Sequence, residues 1–175
     1  MPKVRKMLND WNAPYIQSIV KVMETQSKKT LIQWVVDYAE EYLLPLWQKY
    51  YPLDPRPQNS LKAARNWMTG KCKLPEAKKI ILECHAAARE SESNTVAQTS
   101  ARAIGQSAST IHSAKHAIGL VLYGALAIAY DKIGIAASWE ELEKCAAKEC
   151  ELMLQALQLI AVKNEPNPAK LDWNC

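Results

Sequence analysis

The sequence predicts an all-α protein, folded as a single-domain bundle of six or seven helices. Its 175 residues include only five glycines and no phenylalanine, and it is rich in Ala, Leu, Lys and Glu, which favour helices. Apolar residues recur at helical spacing along most of the chain. This length suits one domain with a sizeable core. We find no internal repeat and no long linker, so residues 1–175 are predicted to form one helical domain.

The first two helices are predicted from apolar stripes that follow an N-terminal arm, residues 1–11. Within residues 13–26 the stripe consists of Ile16, Ile19, Val20 and Met23. The segment 28–50 carries a longer stripe, made of Leu31, Trp34, Val35, Tyr38, Tyr42 and Leu43. Pro45 falls late in this second stripe, and we expect it to kink or end the helix because proline lacks an N–H donor.

Prolines and glycine mark the limits of the next two helices. The stretch YPLDPRPQNS (51–60) contains three prolines and predicts a rigid, non-helical connection. A short helix should follow it, with Asn59 or Ser60 as the N-cap and Gly70 as the stop. Pro75 then suits the first turn of another helix. Ala77, Ile80, Ile81, Cys84 and Ala88 supply the buried face of that helix, and His85 lies at its border.

The second half of the chain contains a long proline-free segment, residues 94–133, with Asn94 or Thr95 as its cap. One straight helix of this length would span roughly 60 Å, so we expect a kink or break near Gly105 or around His112–Ser113. Ser138 and Glu141 form a capping-box pattern that opens a helix to about Val162. Trp173 indicates that the extended tail, residues 163–175, packs back onto the body.

Charge and hydropathy exclude several classes of protein. The net charge of +4 is mild, and the basic residues between Lys62 and Lys79 are sparser than a phosphate-binding stripe would be, so we interpret them as a solvated helix face. No segment reaches roughly 18 apolar residues, as a membrane span requires, and the N-terminus does not resemble a secretory signal. We therefore expect a cytoplasmic protein with reduced cysteines and with neither membrane nor nucleic acid as a partner.

The segment STIHSAKHAIG (109–119) contains two of the three histidines, His112 and His116, four residues apart. On a helix these side chains are neighbours, and three interpretations compete. An H-x-x-x-H pair can bind zinc if His85, Glu83 or Asp131 adds a third ligand. A histidine can also act as a general acid or base, but no nucleophile or substrate pocket is specified.

The third interpretation is a structural polar network in a junction of small residues, and it is the one we favour. If residues 98–130 form one helix, then Gly105, His112 and Gly119 share a line along it. Buried imidazoles need hydrogen-bond partners, and those available are Ser109, Gln106, Tyr123, Tyr130 and Glu83. No phosphate-binding, dinucleotide-binding or nucleophile-elbow motif is present. We therefore expect no catalytic residue and no cofactor, with a divalent metal at the histidines left open.

Four pieces of the chain occur in an order that resembles a known family. They are the turn PLDPRP (52–57), ARNW (64–67), HAAAR (85–89) and the paired-histidine segment 101–124. They resemble the putative immunity protein family, a type-five immunity-like helical domain of bacterial polymorphic toxin systems. The residues that carry the likeness are Asp54, Arg56, Arg65, Trp67, His85, Arg89, Arg102, Gly105, His112 and His116. Gln106 stands where many relatives carry a histidine, and Ala114 where a proline is common.

The resemblance implies a small cytosolic bacterial protein that binds and neutralises a toxin. We expect Asp54 and Arg56 to pair with each other in the proline-rich turn, and Arg89 and Arg102 to form buried ion pairs. The net charge of +4 argues against a strongly basic nuclease as the toxin, unless charge is segregated on the surface. A metal- or small-ligand-binding protein, a nucleic-acid-associated protein and a homo-oligomer remain as alternatives.

Overall fold

In the computed structural model, residues 3–174 are described, and they form an all-α fold without strands. This confirms the predicted fold class. Met1, Pro2 and Cys175, which belong to the predicted arm and tail, lie outside the described residues. The α-helices are α1 Pro14–Met23, α2 Lys28–Tyr38, α3 Leu44–Tyr50, α4 Arg56–Met68, α5 Leu74–Glu90, α6 Thr95–Ser109, α7 Ala125–Ile133 and α8 Trp139–Ile160.

Irregular helical turns join some of these helices into longer rods. A π-helical turn, Ala39–Leu43, makes α2 and α3 continuous. A 3₁₀ turn, Ala114–Ala117, and a second π-helical turn, Leu120–Gly124, lead into α7. Counted as continuous rods, the described residues therefore form seven helices, in agreement with the predicted number.

The predicted apolar stripes of the first rods are buried, with one exception. Ile16 and Met23 of α1 are fully buried, and Trp34 of α2 donates from Nε1 to the Met153 carbonyl at 3.0 Å. Tyr42 was expected in the stripe but remains 47% exposed. It lies in the π-helical turn, whose extra residue shifts the side-chain phase. Pro45 falls in the first turn of α3, where a missing N–H is tolerated.

Helix α4 begins earlier than predicted. Its first residue is Arg56, so Asn59 and Ser60 lie within the helix and neither is its N-cap. Pro57 permits this start because proline suits the first helical turn, and the Ser60 hydroxyl donates to the Pro57 carbonyl at 2.7 Å. The predicted stop is confirmed, since Gly70 follows the helix with a φ of 74°.

The long segment after Asn94 breaks at the second of the two predicted positions. Asn94 caps α6 by accepting a hydrogen bond from the Ala97 N–H at 2.9 Å. The helix ends at Ser109, and residues 110–113 form a turn, whereas Gly105 lies inside α6. The expected alignment of glycines and His112 along one helix is therefore wrong, because the chain folds back and packs its second half against α6.

Helix α6 lies at the centre of the bundle. Twelve of its fifteen residues are buried, and it packs against α2, α3, α4, α5 and α7. The helical rod Ala114–Ile133 is the one described helix that is long and apolar enough to cross a membrane by length and composition. In that rod, however, 61% of the apolar window is buried inside the bundle, and a core helix meets the same criterion.

Both ends of the chain pack onto the helices as far as they are described. In the arm, Leu8 is buried and its N–H donates to the Leu122 carbonyl at 2.9 Å. In the tail, the Trp173 ring lies 5.0 Å from the Trp11 ring between centroids, and its Nε1 donates to Glu24 at 3.1 Å. The predicted capping box of Ser138 is present at the start of α8, and the tail follows the end of that helix.

We expect Asn94→Ala to lower the free energy of unfolding by about 1 kcal/mol, because it removes the side-chain cap of the central helix. Urea unfolding followed by circular dichroism measures the change. Ser93→Ala is the matched control, since Ser93 is exposed and lies one residue before the cap. Equal stability of the two variants would contradict a stabilising role for the cap.

Candidate functional site

The α5–α6 seam holds His85 against the backbone of Gly105. A Cβ at position 105 would lie only 2.7 Å from His85 Cε1 and 2.9 Å from Nδ1, so only glycine leaves room for this ring. His85 Nε2 is 3.4 Å from Ser109 Oγ. The Ser109 hydroxyl donates to the Gly105 carbonyl at 2.8 Å, which leaves its oxygen free to accept a hydrogen bond from the imidazole N–H.

The other side of α6 carries an equivalent close contact with the rod 114–133. His116 Nδ1 lies 2.8 Å from Gln106 Oε1, an arrangement in which the imidazole N–H donates to the amide oxygen. Gly119 lies directly over the Gln106 stem, and a Cβ there would come within 2.4 Å of Gln106 Cβ. The absence of a side chain at Gly119 thus allows Gln106 to reach His116.

His112 lies in the turn between the two rods and is exposed. Its ring centroid is 4.9 Å from that of His116, with the ring planes tilted by 60°. The turn positions it through backbone bonds, in which the His112 N–H donates to the Ser109 carbonyl at 3.1 Å. His112 and His116 are therefore neighbours because the turn brings their rings together, not because they share one face of a helix.

All three histidines have lowered pKa values. Burial is the main cause in each case, and positive neighbours add to it. For His85 those neighbours are Arg102 and Arg89, and for His116, whose pKa falls to about 4, they are His112 and Lys115. A base with a pKa near 4, such as His116, is poorly matched to proton transfer at neutral pH.

The predicted ion pairs of Arg89 and Arg102 are not present among the described residues. Arg89 is exposed, and Arg102 has a buried Nε without a hydrogen-bond partner. The expectation of buried ion pairs is wrong because Arg89 faces solvent, and neither guanidinium lies within 4 Å of a carboxylate among residues 3–174. Glu83 is exposed and makes no hydrogen bond to the histidines in the part of the chain that is described.

The pairing predicted for Asp54 and Arg56 is confirmed. Arg56 donates to Asp54 from Nε at 3.0 Å and from Nη2 at 2.7 Å, and Nη2 also reaches Glu90 at 2.7 Å. The hydrogen bonds from Arg56 lower the pKa of the Asp54 carboxyl group despite its partial burial. These contacts tie the proline-rich connection to the end of α5 and occupy both side chains.

No three His, Cys, Asp or Glu side chains among residues 3–174 are arranged to hold a metal ion. His85, His112 and His116 thus do not form the three-ligand set considered from the sequence. In the basic stretch, Arg65 is bound to Asp37 at 2.8 Å and to Glu40 at 2.6 Å. Binding of a metal ion and binding of nucleic acid stay predictions from the sequence.

A cavity of about 450 Å³ opens beside His116. Its walls include Gln106, Tyr123, Trp11 and Trp173. The sequence indicated that Trp173 packs on the body, but it did not place either tryptophan near the histidines, because Trp11 and Trp173 lie 105 and 57 residues from His116 along the chain. Only the folded ends bring these rings together.

We expect Gly119→Ala to destabilise the protein by about 1–3 kcal/mol through overpacking against Gln106. This is opposite in sign to the usual effect of alanine in a helix. Gly124→Ala on the same rod is the matched control, since its nearest neighbour would be the end of the Leu43 side chain at 3.1 Å. Denaturant unfolding should show the larger loss for position 119, and equal losses would refute the close contact.

Stability should fall with acidity in part through His116. Its pKa drops from 6.5 in the unfolded chain to about 4 in the fold, so the unfolded chain binds a proton first as the pH falls below 6.5. The neutral His116 imidazole contributes fully to the free energy of unfolding above pH 6.5, and this contribution is lost as the pH falls towards 4. For a half-buried group it amounts to about 1–2 kcal/mol.

Urea unfolding of wild type and His116→Asn at pH 7.5 and pH 4.5 tests this dependence, because asparagine keeps a donor but does not titrate. The variant should lose less stability between the two pH values than wild type does. His112→Asn is the control, since His112 is exposed and its change should be smaller. Identical pH dependence of wild type and His116→Asn would contradict the assignment.

Comparison with protein families finds a match to a family described as Imm-5 like putative immunity protein, over residues 21–156. The match extends beyond the segment 30–135 that carries the resemblance in the sequence, and it includes every residue of the His85, His112 and His116 cluster. Searches of curated proteins and of solved structures find no match. Because the family match covers most of the chain, the chain belongs to the Imm-5-like immunity protein family.

Proposed function

We propose that this chain is a non-enzymatic binding protein of the bacterial cytoplasm that neutralises a toxin by direct contact. Membership of the Imm-5-like immunity protein family carries this proposal, since the match spans residues 21–156, from α1 to α8. A protein of this kind acts through its surface and needs no catalytic centre.

The chemistry of the candidate site supports a non-enzymatic role. His85 and His116 are engaged with Ser109 and Gln106, and the lowered pKa values keep them neutral at physiological pH. Burial raises the pKa of the Cys84 and Cys150 thiols to about 12, so these thiols are protonated and weakly nucleophilic. The cluster therefore provides hydrogen bonds that hold three helical rods together, which is a structural task.

Co-expression of the full chain with a candidate toxin domain, selected from a library of bacterial toxin domains by its binding to the chain, tests the proposal. We expect the full chain to restore growth of bacteria that produce the toxin domain, and the two purified proteins to form a stable complex in gel filtration. An unrelated toxin domain of similar size is the control and should remain toxic. Continued toxicity in the presence of soluble, folded chain would contradict neutralisation by direct binding.

A further inference from the structure

An apolar groove lies between the rod 28–50, α7 and α8. It encloses about 610 Å³, and its apolar walls are formed by Tyr42, Leu46, Ile128, Leu152, Leu159 and Ile160. We refer to it as the α2–α8 groove. Its residues come from three separate helical rods, so its shape depends on the folded bundle.

Several large apolar side chains of this groove face water. Leu159 is 87% exposed, Leu152 and Tyr42 are each 47% exposed, and Ile160 is 38% exposed. Leu152 and Leu159 are seven residues apart on α8 and therefore lie on the same helical face. Isolated apolar residues are common on protein surfaces, but a grouped set around a concave site is typical of a binding surface.

The groove is acidic although the chain as a whole is basic. Its lining contains the four carboxylates Asp37, Glu41, Asp131 and Glu149 and the single ammonium group of Lys132, a net charge of −3, against +4 for the whole chain. Lys49 and Arg65 bind Asp131 and Asp37 from outside the lining, and they reduce the local charge to −1.

The unpaired charge in this set belongs to Glu41. It forms no ion pair within 4 Å among the described residues, and it is exposed in the π-helical turn beside Tyr42. Glu149, by contrast, is 5% exposed and is bound by Lys132. An exposed carboxylate next to exposed apolar side chains favours a ligand that carries both apolar and positive groups.

We propose that the α2–α8 groove binds a basic amphipathic helix of the partner protein, a proposal that rests on the toxin-binding function. The apolar face of that helix would cover Leu152 and Leu159, and its lysines or arginines would face Glu41 and the neighbouring carboxylates. A second copy of this chain fits less well, because a symmetric contact would place the same acidic lining against itself. Because acidic residues are concentrated at this groove, a chain with a net positive charge can still bind a basic partner.

A direct binding experiment uses two labelled helical peptides and the full chain. One peptide has leucines on one face and lysines on the other, and the second has glutamate in place of each lysine. Fluorescence anisotropy should show binding of the lysine peptide at least about tenfold tighter than that of the glutamate peptide, with the difference shrinking as salt rises. No binding of the lysine peptide, or equal binding of both peptides, would overturn the proposal.

Variants locate the binding on the surface. Leu159→Ala and Glu41→Lys should each weaken binding of the lysine peptide by about fivefold or more. Leu53→Ala and Glu92→Lys are matched controls, since Leu53 is 94% exposed in the proline-rich connection and Glu92 is exposed after α5. Equal weakening by the controls would refute binding at the groove. Dimerisation of wild type that Leu159→Ala abolishes would identify a second copy as the occupant and would also overturn the proposal.

The growth assay separates this inference from the proposed function. If the chain neutralises the toxin domain but Leu159→Ala and Glu41→Lys neutralise it as well as wild type does, the protein is an immunity protein that uses another surface, and the groove proposal is wrong. If the lysine peptide binds at the groove but the toxin domain stays toxic, the groove recognises basic helices and the neutralisation proposal is wrong.

Discussion

The structure depends on the burial of one helix, α6, on nearly every side. A helix in this position must admit neighbours at short distance, and its residues are accordingly small. Its buried serines are compatible with this position because each hydroxyl bonds within the helix: Ser100 donates to Ala97, and Ser107 to Ala103, both at 2.8 Å. Such internal bonds satisfy a polar group without a partner from another helix, so neighbouring rods can approach a surface that is tightly packed and dry.

The two histidine contacts follow from the same constraint. Glycine at position 105 admits the His85 ring from α5, and glycine at 119 admits the Gln106 stem from α6. The burial that results from this close approach lowers the pKa of the histidines. A cluster of this kind has the composition of a metal or catalytic site, and its residue types alone could not distinguish such a site from a hydrogen-bonded network between helices. Gln106 supplies an acceptor for His116 without adding another titratable group.

Local signals in the sequence predicted most of the fold. Caps such as Asn94 and Ser138, and stops such as Gly70, act within a few residues, so the sequence alone reveals them. The start of α4 was misplaced because two rules competed: prolines indicated a connection, but proline is also favoured in a first helical turn. The break at residues 110–113 was one of two options. The position of the break depends on how the two rods pack against each other, and no local sequence pattern encodes this packing.

Contacts between distant parts of the chain could not be predicted from the sequence. The ion pair of Glu90 with Arg56 joins the end of α5 to the proline-rich connection, 34 residues away along the chain, and no local pattern predicts it. The same limit applies to charge. A net charge of +4 is a sum over the whole chain, whereas a partner responds to the potential at one surface. Because carboxylates from three rods meet around exposed leucines, a weakly basic protein presents an acidic apolar face. Its overall charge therefore does not exclude a basic partner.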